Sequence, residues 1–432
     1  MQVLIIGAGT GGLALAHKLK QSGIAVSVYE RDLVPNADTG GYRVGISPAG
    51  SQALKACVPP ENYELFVATS ARAPRYLNML TERFKKVLRF ELTGAAADAF
   101  DGEKNVIRKT MRRVLLRGLE AEVAFGKKLA RYVHNPDGTI TVHFQDGSQA
   151  TGDVLVGADG TGSAVRQQRL PDARLEDTGM ASFGGKLPMT GESRGLLTRE
   201  MFLGMTMIFA PRGFGAIIHS LEFPARRADS AFTARWPEFV SHLDDDSIGW
   251  GIWGARGNFP QDPANQGGAQ LKAIGLELTR GWSPQMRRLI ELTDPSTIHY
   301  ISIRTSVPPD PWESSNVTLL GDAVHTMTPG RGAGANTALR DAALLGERLV
   351  EVAQGRRPLL AAIRDYETEM LRYSAEAVRE SRKQMDARDA IHKPFIGALQ
   401  LAMMRAGMRF IETVPALKRR VLAGILRVRG EN

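Results

Sequence analysis

Cysteine is all but missing from this chain: its 432 residues include one, Cys57. That excludes an internal disulfide framework and a multi-cysteine metal site, and it suits a reducing compartment. The eight histidines show neither HxxxH nor HExxH spacing, so no structural zinc is expected. Long apolar runs are missing too. No stretch approaches the roughly 18 uncharged apolar residues that a membrane-spanning helix needs. The amino terminus opens on an apolar strand pattern, Met1 to Ile6, without the tripartite layout of a secretion signal. These features lead to the expectation of a soluble protein, cytoplasmic in a bacterium.

Charge imbalance is confined to one end. The net charge is +9, but the residues from His392 onward hold eight Lys or Arg and two Glu, leaving the preceding chain close to balance. No basic stripe interleaved with aromatics appears in the body, so nucleic acid is not an expected partner. With 43% hydrophobic and 23% charged residues, the chain has ordinary globular composition and is long enough for two domains.

Three segments, at 3–6, 25–29 and 153–157, read as buried strands of a parallel sheet. Between the first two, "LIIGAGTGGLALAHKL" places Gly7, Gly9 and Gly12 in GxGxxG spacing after a strand and at the opening of a helix that stops at Gly23. Gly7 permits the tight turn, Gly9 lets a pyrophosphate approach the backbone, and Gly12 allows close helix packing. Glu30 ends the second strand, where a carboxylate accepts hydrogen bonds from both ribose hydroxyls. Arg31 beside it is placed to stack on the adenosine or to stand as a surface charge. A dinucleotide site follows from this unit.

Residues 175–305 read as short strands of an antiparallel sheet, and 316–322 resume the buried-strand pattern ahead of a helix with Ala338, Ala342, Leu345 and Leu349 on one face. A long charged helix is expected from Leu359 to about His392. In the basic tail, Leu417, Val421, Ile425 and Val428 form an apolar stripe expected to pack inward, so a membrane partner is not expected.

Two further motifs distinguish FAD from NAD: Asp159-Gly160 in "DVLVGADGTGSAVR" and Gly321-Asp322 in "LLGDAVHTMTPGRGAGAN". With the GxGxxG turn, this trio resembles the group A flavin-dependent aromatic monooxygenases, the para-hydroxybenzoate hydroxylase-like family, over Met1 to about Gln384. Within that family the chain looks most like the tetracycline-modifying and polyketide-tailoring branch. The resemblance implies an α/β fold: a Rossmann-like FAD-binding domain from 1–75, 100–174 and 306–358, an inserted, mainly antiparallel β-sheet substrate domain from 76–99 and 175–305, and C-terminal helices over 359–432.

It also implies roles. Asp322 would hydrogen-bond the ribityl or ribose part of FAD. The loop from Pro329 through Gly332, Ala333, Gly334 and Ala335 to Asn336 would wrap the isoalloxazine ring. Backbone amides leading into a helix amino terminus suit the negative charge of a reduced flavin. Arg108 matches an Arg-x-x-Leu position that reaches FAD, with Met111 in place of leucine, and Arg43 matches a loop position beside the flavin. Asp159 belongs to a segment implicated in holding NADH or NADPH. Ala333 replaces the family's usual glutamine.

The implied activity is hydroxylation of an aromatic or polyketide-like small molecule with NAD(P)H and dioxygen, through a flavin C4a-hydroperoxide, by a monomer or homodimer. An NADH-dependent flavin reductase or FAD-linked oxidoreductase of secondary metabolite biosynthesis, or a flavoprotein that sequesters a planar antibiotic, are the alternatives. No side chain is assigned as catalyst. His325 reads as a packing and hydrogen-bonding residue, and Trp250, Trp253, Phe202, Phe209 and Phe214 read mainly as core.

Overall fold

Val3, Leu4 and Ile5 leave no polar face, and such a run is stable only where both sides of a strand are covered. In the computed structural model, which describes residues 1–35, 43–92, 102–224 and 230–429, all three are buried. They belong to a five-stranded sheet in the order Val317–Leu319, Val154–Gly157, Gln2–Ile6, Ala25–Tyr29, Val123–Ala124. Every neighbouring pair in it is parallel.

The helix Thr10–Gln21 buries Leu13, Leu15 and Leu19, and Gly23, at φ 72°, turns the chain back into the second strand. A second helix, Gly334–Ala353, crosses the first at close range. A Cβ added at Gly346 would lie 2.6 Å from Lys18 Cγ, and one at Gly11 would lie 3.1 Å from the Ala338 carbonyl. Glycines at both contacts let the two helices pack closely, and the Gly11 contact brings together two helix amino termini that are more than 300 residues apart in sequence.

These elements lie in one of two compact units, made of Met1–Ala68, Val106–Glu176 and Arg304–Gln384; the other comprises Thr69–Asn105, Asp177–Ile303 and Met385–Asn432. The helix Leu359–Arg382 belongs to the first unit and the chain from Met385 to the second. That helix ends ten residues before His392, where the sequence pattern placed its end. Asp386 accepts from the Arg388 amide, and the Ala387 amide bonds the Thr178 carbonyl, so the chain turns out of the helix.

The second unit is built on a seven-stranded sheet containing Tyr76–Thr81, Lys86–Glu91, Gly204–Phe209, Gly215–Leu221 and Ser247–Ala255. Gly204–Phe209 runs parallel to Tyr76–Thr81 and antiparallel to Gly215–Leu221. Burial alternates along Gly204–Phe209, as expected when one face meets the core. Trp250 and Phe214 are core residues, and the Trp250 indole donates to Thr293 Oγ1 at 2.8 Å. Trp253, Phe202 and Phe209 are half-buried. In the terminal helix Pro415–Arg429, Val421 and Ile425 pack against the Leu77, Leu88 and Phe90 cluster, whereas the Val428 side chain lies outside the described residues.

Candidate active site

The first turn has the backbone that its glycines demand. Gly7 adopts φ 110°, and a Cβ there would fall 2.3 Å from the Ala158 carbonyl; at Gly12 it would fall 2.2 Å from the Gly7 carbonyl. Gly9 differs: an added Cβ meets nothing within 4 Å, and no side chain caps the helix that starts after it. First-turn amides of a helix lack intrahelical acceptors, so this open end is suited to an anion.

Glu30 is buried at the end of its strand. Its Oε2 accepts from the Ala8 amide at 2.7 Å and its Oε1 from the Asp32 amide at 3.0 Å. Arg112 joins the cluster, with NH1 2.6 Å from Asp32 Oδ2 and NH2 3.3 Å from Glu30 Oε2. Arg112 is itself buried, yet its Nε and NH2 make no hydrogen bond among the described residues. Arg31 is exposed, and Arg43 opens the strand Arg43–Ile46 half-buried.

The second motif rests on a carboxylate that the sequence did not single out. Gly321 takes φ 63° and starts the short helix Asp322–His325. Its amide donates to Asp341 Oδ2 at 2.8 Å, and His325 Nε2 lies 2.6 Å from the same oxygen. The Tyr373 hydroxyl donates to Asp341 Oδ1, so one fully buried carboxylate holds three groups. Burial works against protonation of His325, but the Asp341 charge and hydrogen bond outweigh it and raise its pKa. Burial raises the Asp322 pKa, against the charges of His325 and Arg108. Arg108 is therefore near enough to act on Asp322 although its side chain is exposed.

The glycine-rich loop follows. Pro329–Arg331 form one 3-10 turn, Gly332 closes it in the left-handed conformation at φ 62°, and the long helix begins at Gly334 with no side-chain cap. An added Cβ meets nothing within 4 Å at Gly332, and at Gly334 nothing nearer than Asp322 Oδ1 at 3.7 Å. The Asn336 side chain turns inward: its amide donates to the Gly45 and Gly332 carbonyls at 3.0 Å, and its Oδ1 accepts from the Ser47 amide at 2.9 Å. It thereby clamps the loop to the Arg43–Ile46 strand, and its backbone stands in the first helical turn. Ala333, half-buried, occupies the cap position of that helix, and Ala335 is half-buried beside it.

Asp159 links the two motifs. Its Oδ2 accepts from the Ala164 amide at 2.7 Å, capping the helix Ala164–Arg169, and Arg166 of that helix donates to the Ala323 carbonyl at 2.9 Å. Burial raises the Asp159 pKa, and its Oδ1 is buried without a partner among the described residues.

The parts fit an FAD. Two uncapped helix amino termini lie side by side, one behind open Gly9 and one behind open Gly332, with Glu30 on one flank and half-buried Asp322 on the other. Asp341, Tyr373, Arg166 and Arg112 were not predicted. Asp341 had a signal: it lies three residues after Ala338 and four before Leu345, a carboxylate on an apolar helical face. Arg112 was one basic residue among several.

Comparison with known proteins agrees with this geometry. The FAD binding domain family matches residues 290–381, and the NAD(P)-binding Rossmann-like domain matches residues 5–48. A crystal structure from Photorhabdus luminescens subsp. laumondii TTO1, assigned as an FAD-containing monooxygenase, is 32% identical. It covers 89% of this chain and 98% of its own, with a TM-score of 0.77. This chain belongs to the FAD-dependent monooxygenases.

Klebsiella pneumoniae HpxO complexed with FAD and uric acid shares the fold, with a TM-score of 0.77 at 24% identity over 100% of this chain and 97% of that one. The dual O-methyltransferase/FAD-dependent monooxygenase CTB3 of Cercospora beticola is 34% identical over 85% of this chain. The match takes in only 44% of CTB3, so the chain spans less than half the length of that fungal relative.

Proposed function

We propose that this chain hydroxylates an aromatic or polyketide-like small molecule, with FAD as cofactor and NADH or NADPH as co-substrate. The observation that carries the reading is the pairing of the two open helix amino termini, held together through Gly11 and Ala338, which lets one dinucleotide span both. A relative of the same fold holds FAD together with uric acid, which supports a small-molecule substrate.

In this reading Gly9 and the amides after it receive the pyrophosphate, Glu30 the adenosine ribose, and Asp322 the ribityl chain. Bound FAD would supply the redox chemistry that links oxidation of NADH or NADPH to the use of dioxygen. The amides from Gly332 to Asn336, at the amino terminus of the helix Gly334–Ala353, would stabilise negative charge on the flavin. Asp341 fixes Gly321 and His325, so the turn that presents Asp322 does not need to reorganise during turnover. We assign cofactor binding to the parallel-sheet unit and substrate recognition to the antiparallel-sheet unit.

The test is the purified protein's absorption spectrum, followed by NAD(P)H oxidation with and without dioxygen across a panel of polyphenols. Substrate-stimulated turnover that stops without dioxygen supports the proposal. Turnover that continues anaerobically makes the protein a flavin reductase.

A further inference from the structure

The helix Ile396–Thr413 has two apolar faces. On one, Met408 and Ile411 pack with Val421, Leu422 and Ile425 of the terminal helix against Leu77, Leu88 and Phe90. The other points outward: Ile396 is 59% exposed, Leu399 62%, Met403 59% and Phe410 61%. Their spacing of three, four and seven residues sets them on one stripe, with exposed Ala402 and Ala406 between. Phe395 leads into this stripe at φ 56° and is 90% exposed. A bulky residue at positive φ is strained, and here no packing of its ring offsets that strain.

Between residues 393 and 426 the charges are almost all of one sign. Lys393, Arg409, Arg419 and Arg420 are exposed, and Glu412, the only acid between residues 393 and 426, is engaged by Lys86 at 2.8 Å and Lys418 at 2.7 Å. A second copy of the chain on this stripe would bring two such cationic clusters together with no exposed acid from either helix pair. An anionic bilayer complements both features. No helix among the described residues is long and apolar enough to cross a membrane, which leaves the interfacial mode.

We propose that this face seats the protein on an anionic lipid surface, with Phe395, Ile396, Leu399, Met403 and Phe410 entering the acyl boundary and the surrounding Lys and Arg meeting lipid phosphates. The inference is independent of the oxygenation chemistry. Of the tail stripe expected from the sequence, Val421 and Ile425 pack inward; the outward stripe belongs to the preceding helix.

Co-sedimentation of the full chain with phosphatidylcholine vesicles, and with vesicles of equal parts phosphatidylcholine and phosphatidylglycerol, tests it. Binding to the anionic vesicles alone, weakening as salt rises, is expected. A triple variant, Leu399→Ser, Met403→Ser and Phe410→Ser, changes only exposed side chains and should keep the wild-type circular dichroism while binding on the order of a hundredfold more weakly. Removing the charges of Arg419 and Arg420 should cost about fivefold each. Equal sedimentation of wild type and triple variant, or no preference for anionic vesicles, would overturn the proposal. So would a light-scattering mass of a dimer that becomes monomeric in the triple variant without any vesicle binding, which would assign the face to a second copy.

Discussion

Replacing Asp341 with alanine tests the support beneath the flavin-facing turn. The wild-type carboxylate is fully buried and holds the Gly321 amide at 2.8 Å, His325 Nε2 at 2.6 Å and the Tyr373 hydroxyl. Truncation strands the buried Gly321 amide and His325 and leaves the half-buried Tyr373 hydroxyl without its acceptor. A buried donor left unsatisfied costs about 1–3 kcal/mol, and breaking a buried charged pair costs about 3–5 kcal/mol. The terms overlap because the groups share one partner, so a net loss of about 4 kcal/mol is expected, a large share of the roughly 5–15 kcal/mol that stabilises a domain.

Asp341→Asn retains an acceptor and should lose about half as much. Urea unfolding of the apoprotein reads the stability, and flavin fluorescence titration reads a parallel weakening of FAD affinity of about tenfold. The pH dependence has a definite sign. Because the folded-state pKa of His325 is raised, the stabilisation from its charged form is fully present below the unfolded imidazole pKa and is lost as pH rises through the folded value. The gap between wild type and variant should therefore narrow in alkaline buffer. A loss under about 1 kcal/mol with unchanged FAD affinity would refute the reasoning.

Three further outcomes are expected. Gly334→Ala adds a Cβ that nothing approaches nearer than 3.7 Å, so apoprotein stability should change by less than about 1 kcal/mol while FAD affinity falls about tenfold or more, read by fluorescence titration. Burial pushes the Cys57 thiol up to about 12, so a thiol-specific reagent should label the native protein only after denaturant is added. Burial of Glu412 is outweighed by its bonds to Lys418, Lys86 and the Arg89 amide, which hold its pKa down to about 2. Its stabilisation is present above the ordinary glutamate value and is lost as pH falls through about 2, so Glu412→Gln should remove that part of the acid dependence in a thermal-melt series.

The parallel strands and the GxGxxG turn were legible in the sequence because each depends on local geometry. An unbroken apolar run demands cover on both faces, and Gly7 at φ 110° needs a residue without Cβ. Asn336 was legible only as a loop member. Its role as a clamp depends on Ser47 and Gly45, 289 and 291 residues away, and a contact at that separation leaves no periodic trace. The same holds for the Asp341 cluster, which joins a turn to two helices, and for Arg112, set apart from Arg108 by the positions of Asp32 and Glu30. The end of the Leu359–Arg382 helix escaped notice because Asp386 and Ala387 stop it with bonds that lie outside the helical pattern.

The measurement closest to the central claim is turnover under oxygen-18 dioxygen of the polyphenol that most stimulates NAD(P)H oxidation, with the product read by mass spectrometry. One oxygen-18 atom in the product is predicted. Label arriving only from oxygen-18 water, or an unchanged substrate mass while NAD(P)H is consumed, would contradict it.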